Sequence, residues 1–216
     1  MRLCIKTVII AATFLMVYIA FADDNIKVID DFEAGLAKHW EPKDFKGQTK
    51  YEVVQEGGAH VLRAVSDASA TGLIYKYTYD PKEFPIITWR WKVSNTYSKG
   101  DATKKEGDDY PARIYVIFPH WFKPMTRTIN YIWANKLPKD DYVPNTYHSR
   151  SIMIAVQSGD ENTGKWITER RNVYEDFKMV FGKEPPKVGG IAIMTDTDNT
   201  GESAVAYYDD VIILKE

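Results

Sequence analysis

Short runs rich in valine, isoleucine, tyrosine and tryptophan recur along the chain between turn-forming residues, and this spacing confines it to an all-β architecture. The expected strands are "IKVIDDFE", "YEVVQE", "HVLRAVSD", "GLIYKYTY", "IITWRWKVS", "ARIYVIF", "TINYIWA", "SIMIAVQS", "WITERR", "GGIAIMTD" and "SAVAYYDDVIIL". They are too many for a small barrel, so two packed antiparallel sheets, a β-sandwich, are the natural solution. One segment departs from the pattern. "NVYEDFKMVFG" opens on Asn172 with Glu175 following, spaces Val173, Phe177 and Phe181 by four, and stops at Gly182 ahead of Pro185 and Pro186. That arrangement predicts one short amphipathic helix near 172–181, capped at both ends and plugging one end of the sandwich.

The N-terminus, "MRLCIKTVIIAATFLMVYIAFADD", places Arg2 and Lys6 before an uncharged run, and Ala20-Phe21-Ala22 before two aspartates. This is the pattern of a secretory signal cleaved after Ala22. Retention as an anchor is the alternative, and it needs about 18–20 apolar residues. Cleavage leaves one expected domain, residues 23–216, in a periplasmic or secreted protein with no stable membrane insertion. Cys4 is the one cysteine and falls inside the signal, so no disulfide or thiolate metal ligand is expected in the mature chain. Losing Arg2 and Lys6 takes the basic count from 28 to 26 against 30 acids, a net charge of about −4 that disfavours non-specific nucleic-acid binding.

Four groups of residues could carry chemistry. In "TDTDNTGE", Asp196, Asp198, Thr200 and Gly201 follow the opening positions of a calcium loop, but the twelfth position falls on Tyr207 and no helix flanks it, which excludes an EF-hand. The alternatives are a cation on a tight turn, direct ligand contact, or an Asx-turn hairpin with Gly201 at positive φ. Alternation in "IITWRWKVS" and "ARIYVIF" puts Trp89, Trp91, Ile114 and Val116 on core faces, with Arg90, Arg113 and Tyr115 opposite. If those strands share a sheet, the two arginines stand together as a fork for an anionic sugar. The alternative pairs them with Asp108, Asp109 or Glu169. Asp109, Glu169 and Asp196 are the candidates for acid and base in glycan cleavage. Trp121, Phe122, Trp133, Tyr142 and Tyr147 fall in or near loops where a ring could stack on a sugar, although core packing is the competing use of such residues. The four histidines show no metal-ligand spacing, and no phosphate loop or nucleophile elbow is present.

The blocks "WRWKVS", "GDDYPARIYVIF", "NYIWANKLP", "ERRNVYEDFKMVFGKEPP" and "MTDTDNTGESAVAYYDD" together resemble a family of secreted bacterial proteins known as domain of unknown function 3047. That resemblance covers most of the mature chain and brings no activity with it. More loosely, "VIDDFEAGLAKHW" and "AYYDDVIIL" resemble the ends of galactose-binding-like jelly-roll carbohydrate-binding modules. This second resemblance implies a jelly roll whose first and last strands adjoin, with a structural calcium held by Asp31, Glu33 and Asp210, or by Asp30 and Asp209.

The expected role is non-catalytic recognition of a carbohydrate or similar polar or anionic envelope ligand, with Arg90, Arg113, Tyr115, Trp133 and Arg170 in contact. The alternatives are a glycan hydrolase or lyase on the same scaffold, and a structural or partner-binding envelope protein. A protein partner is left open.

Overall fold

The computed structural model describes residues 24–215. The expected signal and Cys4 lie outside the described residues. Thirteen strands and one helix follow in chain order: β1 (Ile26–Asp30), β2 (Trp40–Lys46), β3 (Lys50–Glu56), β4 (Ala59–Asp67), β5 (Ala70–Tyr75), β6 (Ile86–Val93), β7 (Ala112–Phe118), β8 (Arg127–Ala134), β9 (Tyr142–Pro144), β10 (Ser151–Ser158), β11 (Ile167–Asn172), α1 (Val173–Phe181), β12 (Gly190–Asp196) and β13 (Ser203–Leu214). They form a β-sandwich. One sheet has six strands in the order β11-β6-β13-β4-β3, with β1 also on β13, and the other has seven in the order β2-β5-β12-β7-β8-β10-β9. The pairing is antiparallel except between β8 and β10, which run parallel. The first and last strands adjoin, Ile26 opposite Leu214.

The core forms because alternation turns one face of each sheet inward. On β6, Ile87, Trp89, Trp91 and Val93 are fully buried, as are Ala112, Ile114 and Val116 on β7. Aromatic rings bridge the layers: Trp89 lies 5.3 Å from Tyr131, and Trp91 lies 5.9 Å from Trp133. The helix is capped as its sequence requires. The Asn172 side chain accepts from the Glu175 amide, and Gly182 takes a left-handed conformation. Val173 and Phe177 are buried, and Phe177 meets Phe118 at 4.5 Å, closing that end of the core.

Two strands had no clear sequence signal, and both are edges. β2 carries Pro42 and is exposed beyond Trp40, while β9 is three residues long within the irregular "LPKDDYVPNTYHSR" stretch. An edge strand pairs on one side only, so it tolerates proline and needs no alternating burial.

A second, smaller core lies on the outer face of the seven-stranded sheet. Ala102 and Tyr110, in the chain between β6 and β7, pack with Ile132, Ala134, Met153 and Ala155. Part of that outer face is thereby covered, and beside it an open groove begins, which leaves a step along the sheet.

Candidate functional site

At the step the outer face becomes a groove of about 570 Å³. Cross-strand register builds its floor: Gly72, Met194 and Arg113 stand in one row, Ile74, Ala192 and Tyr115 in the next. Gly72 on β5 and Ala192 on β12 lower the floor between the larger side chains of Ile74, Met194, Arg113 and Tyr115. Phe45 and Lys43 line the groove from β2, and Tyr147, His148 and Asn145 line it from the chain between β9 and β10. The two rings are open to solvent, Phe45 at 60% and Tyr147 at 59% exposure. Tyr147 is held in place because its hydroxyl donates to Asn199 Oδ1 at 2.8 Å.

Charged residues close one end. Arg113 pairs with Asp196, and both are almost wholly buried. The guanidinium lies 5.0 Å from the Tyr110 ring and 5.5 Å from the Tyr115 ring. Asp109 accepts from the amides of Asn199 (3.0 Å) and Thr200 (2.6 Å) and from Asn199 Nδ2 (3.1 Å). Asp108 accepts from Asn145 Nδ2 at 2.7 Å and from the Tyr110 hydroxyl at 3.1 Å. Burial pushes the Asp108 carboxyl above its ordinary range, and burial followed by the neighbouring Asp109 does the same to Asp198. This arrangement explains "TDTDNTGE". The turn is a latch, with Gly201 at φ 67° and Glu202 accepting from the Lys99 amide at 2.9 Å, so the loop before β7 is tied to the loop after β12.

The arginine fork expected from the sequence does not exist. Arg90 is on the six-stranded sheet and Arg113 on the seven-stranded one, and each points away from the shared core. Alternation assigns a face correctly but cannot say which sheet a strand joins. Arg90 is engaged instead by Asp209 and Asp210, the latter at 3.0 Å, and lies 4.9 Å from the Trp166 ring. Arg170, opposite Thr88, is on that same remote face. Trp133 is a correction too. It is fully buried, with Nε1 donating to the Gly159 carbonyl at 3.1 Å, and no ligand reaches it. Of the five expected contact residues, Arg113 and Tyr115 line the groove.

The expected acids divide similarly. Glu169 is buried far from the groove on β11, accepting from Gln157 Nε2 at 2.7 Å. Asp109 and Asp196 are neighbours, and each is engaged by donors of the chain, Asp196 at the lining of the groove and Asp109 behind it. Of the chain-end acids, Glu33 pairs with His60 at 3.0 Å, Asp210 pairs with Arg90, and Asp31 accepts from the Glu33 amide. Asp30 accepts from Trp40 Nε1 at 2.7 Å. Among the described residues, the three acids whose oxygens gather within 4.8 Å are Asp109, Asp196 and Asp198. Those three could hold a cation, with Arg113 already supplying positive charge beside them. Thr200, expected beside them as a ligand, instead donates its amide to Asp109 at 2.6 Å, and its hydroxyl accepts from Glu202 N at 3.3 Å.

Burial holds the Glu169 carboxyl above its ordinary range. A raised folded-state value means the stability this group contributes is complete below its unfolded value, about 4.3, and is lost as pH rises through the folded value. Glu169→Gln keeps the acceptor for Gln157 and removes the titration. The variant is therefore expected to melt above the wild type at neutral pH, with the gap closing in acid. Parallel pH-dependence of the two melting curves would show that burial imposes no such cost.

Phe45, Asn145 and His148 were not foreseen as site residues. For Phe45 a signal existed, since alternation across "EPKDFK" sets Lys43 and Phe45 on one face, but Pro42 obscured the strand. Asn145 and His148 are placed by a loop with no periodicity to read.

The fold and groove together define a β-sandwich protein with an open groove on the outer face of one sheet. The chain belongs to the family described as protein of unknown function DUF3047, whose model matches residues 38–212. Among curated proteins, no relative matches. Among solved structures, the chain is similar to a family 30 carbohydrate-binding module of a cellulosomal cellulase of Clostridium thermocellum, at 10% identity over 82% of this chain and 92% of that one, TM-score 0.47. It is similar to a family 28 module specific for non-crystalline cellulose, at 15% identity over 86% and 92%, TM-score 0.44. A β-1,2-glucanase from Parabacteroides distasonis matches at 12% identity over 89% of this chain and 25% of that one, TM-score 0.48. At these scores the functional reading rests on the groove itself.

Proposed function

We propose that the protein is an exported, non-catalytic recognition protein that holds a carbohydrate or similar polar ligand in the groove of the seven-stranded sheet. One observation carries the reading: two solvent-open rings, Phe45 and Tyr147, come from elements at opposite ends of the strand order and line one groove. Flat rings stack on the apolar faces of sugars, and a few convergent polar groups fix orientation. Asn145, His148, Thr128 and Ser151 supply such groups along the groove. Arg113 is not a free clamp for an acidic sugar, because Asp196 takes its charge while Asp108 and Asp198 line the same end. A hydroxyl-rich neutral ligand fits that end better. The acids named for hydrolysis, Asp109 and Asp196, are both committed to donors of the chain itself, so they do not offer the free acid and base that cleavage needs.

The test is a glycan array followed by calorimetric titration of the best binder. Phe45→Ala and Tyr147→Ala are each expected to weaken binding by about three- to tenfold while moving stability by less than about 0.5 kcal/mol. A chelator arm reads whether the calcium expected at the chain ends contributes. Absence of any glycan binding, or binding indifferent to both substitutions, would overturn the proposal.

A further inference from the structure

The loop joining β7 to β8 carries the most exposed tryptophan among the described residues. Trp121 is 90% exposed and Phe122 is 51% exposed, and neither lines the groove. Leaving two adjacent large rings in water is costly unless something covers them. Their ring planes are inclined by 43° with centroids 5.9 Å apart, so they do not form one flat stacking platform for a sugar. Two rings at a loop tip are also far short of the roughly 800 Å² per partner of a stable protein interface.

The surroundings are basic. Lys123 follows the rings directly, and Arg127 and Lys183 share one depression with His120 and Met125. Burial, then the nearby charges of Arg127 and Arg150, hold the Lys183 ammonium below its ordinary range. Glu184, the acid at that depression, is taken by Lys82 at 3.2 Å and by the Tyr174 hydroxyl at 2.8 Å. Exposed aromatic rings beside a group of cations match the two layers of a lipid surface: rings settle at the headgroup boundary and cations meet lipid phosphates.

We propose that the Trp121–Phe122 loop is a peripheral docking element for an anionic lipid membrane, with Lys123, Arg127, Arg150 and Lys183 as its electrostatic collar. The element does not span the bilayer. Among the described residues no helix is long and apolar enough to cross one. The proposal is independent of what the groove binds.

The test is co-sedimentation with vesicles of phosphatidylglycerol and phosphatidylcholine in equal parts, against phosphatidylcholine alone. Wild type and variants share the same N-terminus, so only the difference between them reads the loop. Trp121→Ala/Phe122→Ala is expected to lower partitioning on the anionic vesicles by at least about tenfold. Lys123→Gln/Lys183→Gln is expected to lower it by about 25-fold, roughly fivefold for each lost cation, and to flatten its salt dependence. The altered residues are surface groups, and unchanged far-ultraviolet dichroism and melting temperature verify the folds. Equal partitioning of wild type and the aromatic variant, or equal binding to neutral and anionic vesicles, would overturn the proposal. So would loss of soluble-glycan binding in the aromatic variant with vesicle binding intact, which would make the loop a sugar contact.

Discussion

Arg113→Met is expected to destabilise the protein by about 3–5 kcal/mol, read from urea unfolding at neutral pH. The substitution removes the guanidinium that neutralises Asp196, a carboxylate 1% exposed. What remains to Asp196 is the Tyr110 amide at 3.3 Å, with Asp109 and Asp198 close by. An isolated buried charge among like charges is the costly case, far more so than the loss of one attractive pair. Two controls separate this from simple loss of packing. The deficit is expected to shrink in acid, where Asp196 can take a proton, and the double variant Arg113→Met/Asp196→Leu is expected to recover most of the stability, since apolar pairs replace buried ion pairs at little cost. A single variant within about 1 kcal/mol of wild type would mean that the pair does not organise this end of the groove.

Trp133→Ala is expected to cost about 3–5 kcal/mol, the range for deleting a large buried ring. The residue is fully buried on β8, packs against Trp91 and uses Nε1 on the Gly159 carbonyl. Removing it opens a cavity between the sheets and frees a carbonyl that otherwise ties the end of β10 to β8. Its signature in a binding experiment is therefore opposite to that of Tyr147→Ala: thermal stability falls, while the affinity of the folded fraction stays. A Trp133→Ala protein that melted with the wild type but lost its ligand would move Trp133 out of the core and into the site.

Much of the scaffold was legible because its determinants are local. Alternation on β6 and β7 identified the core faces residue by residue, and the Asn172 cap, the four-residue spacing and Gly182 placed the helix to within a residue. Trp133 was also within reach of that rule, since Ile129, Tyr131 and Trp133 alternate on one face. Its position near a loop in the sequence obscured the pattern.

The sequence by itself determined the sandwich class, the inward faces and the helix, because strand and helix periods are written into consecutive residues. Only the tertiary structure decided that Arg90 and Arg113 belong to different sheets, that Asp196 rather than Asp109 pairs with Arg113, and that Phe45 and Tyr147 line one groove. Each of those facts joins residues far apart in the chain, and strand partnership is set by how whole sheets bury their faces together. No local window of sequence contains that information.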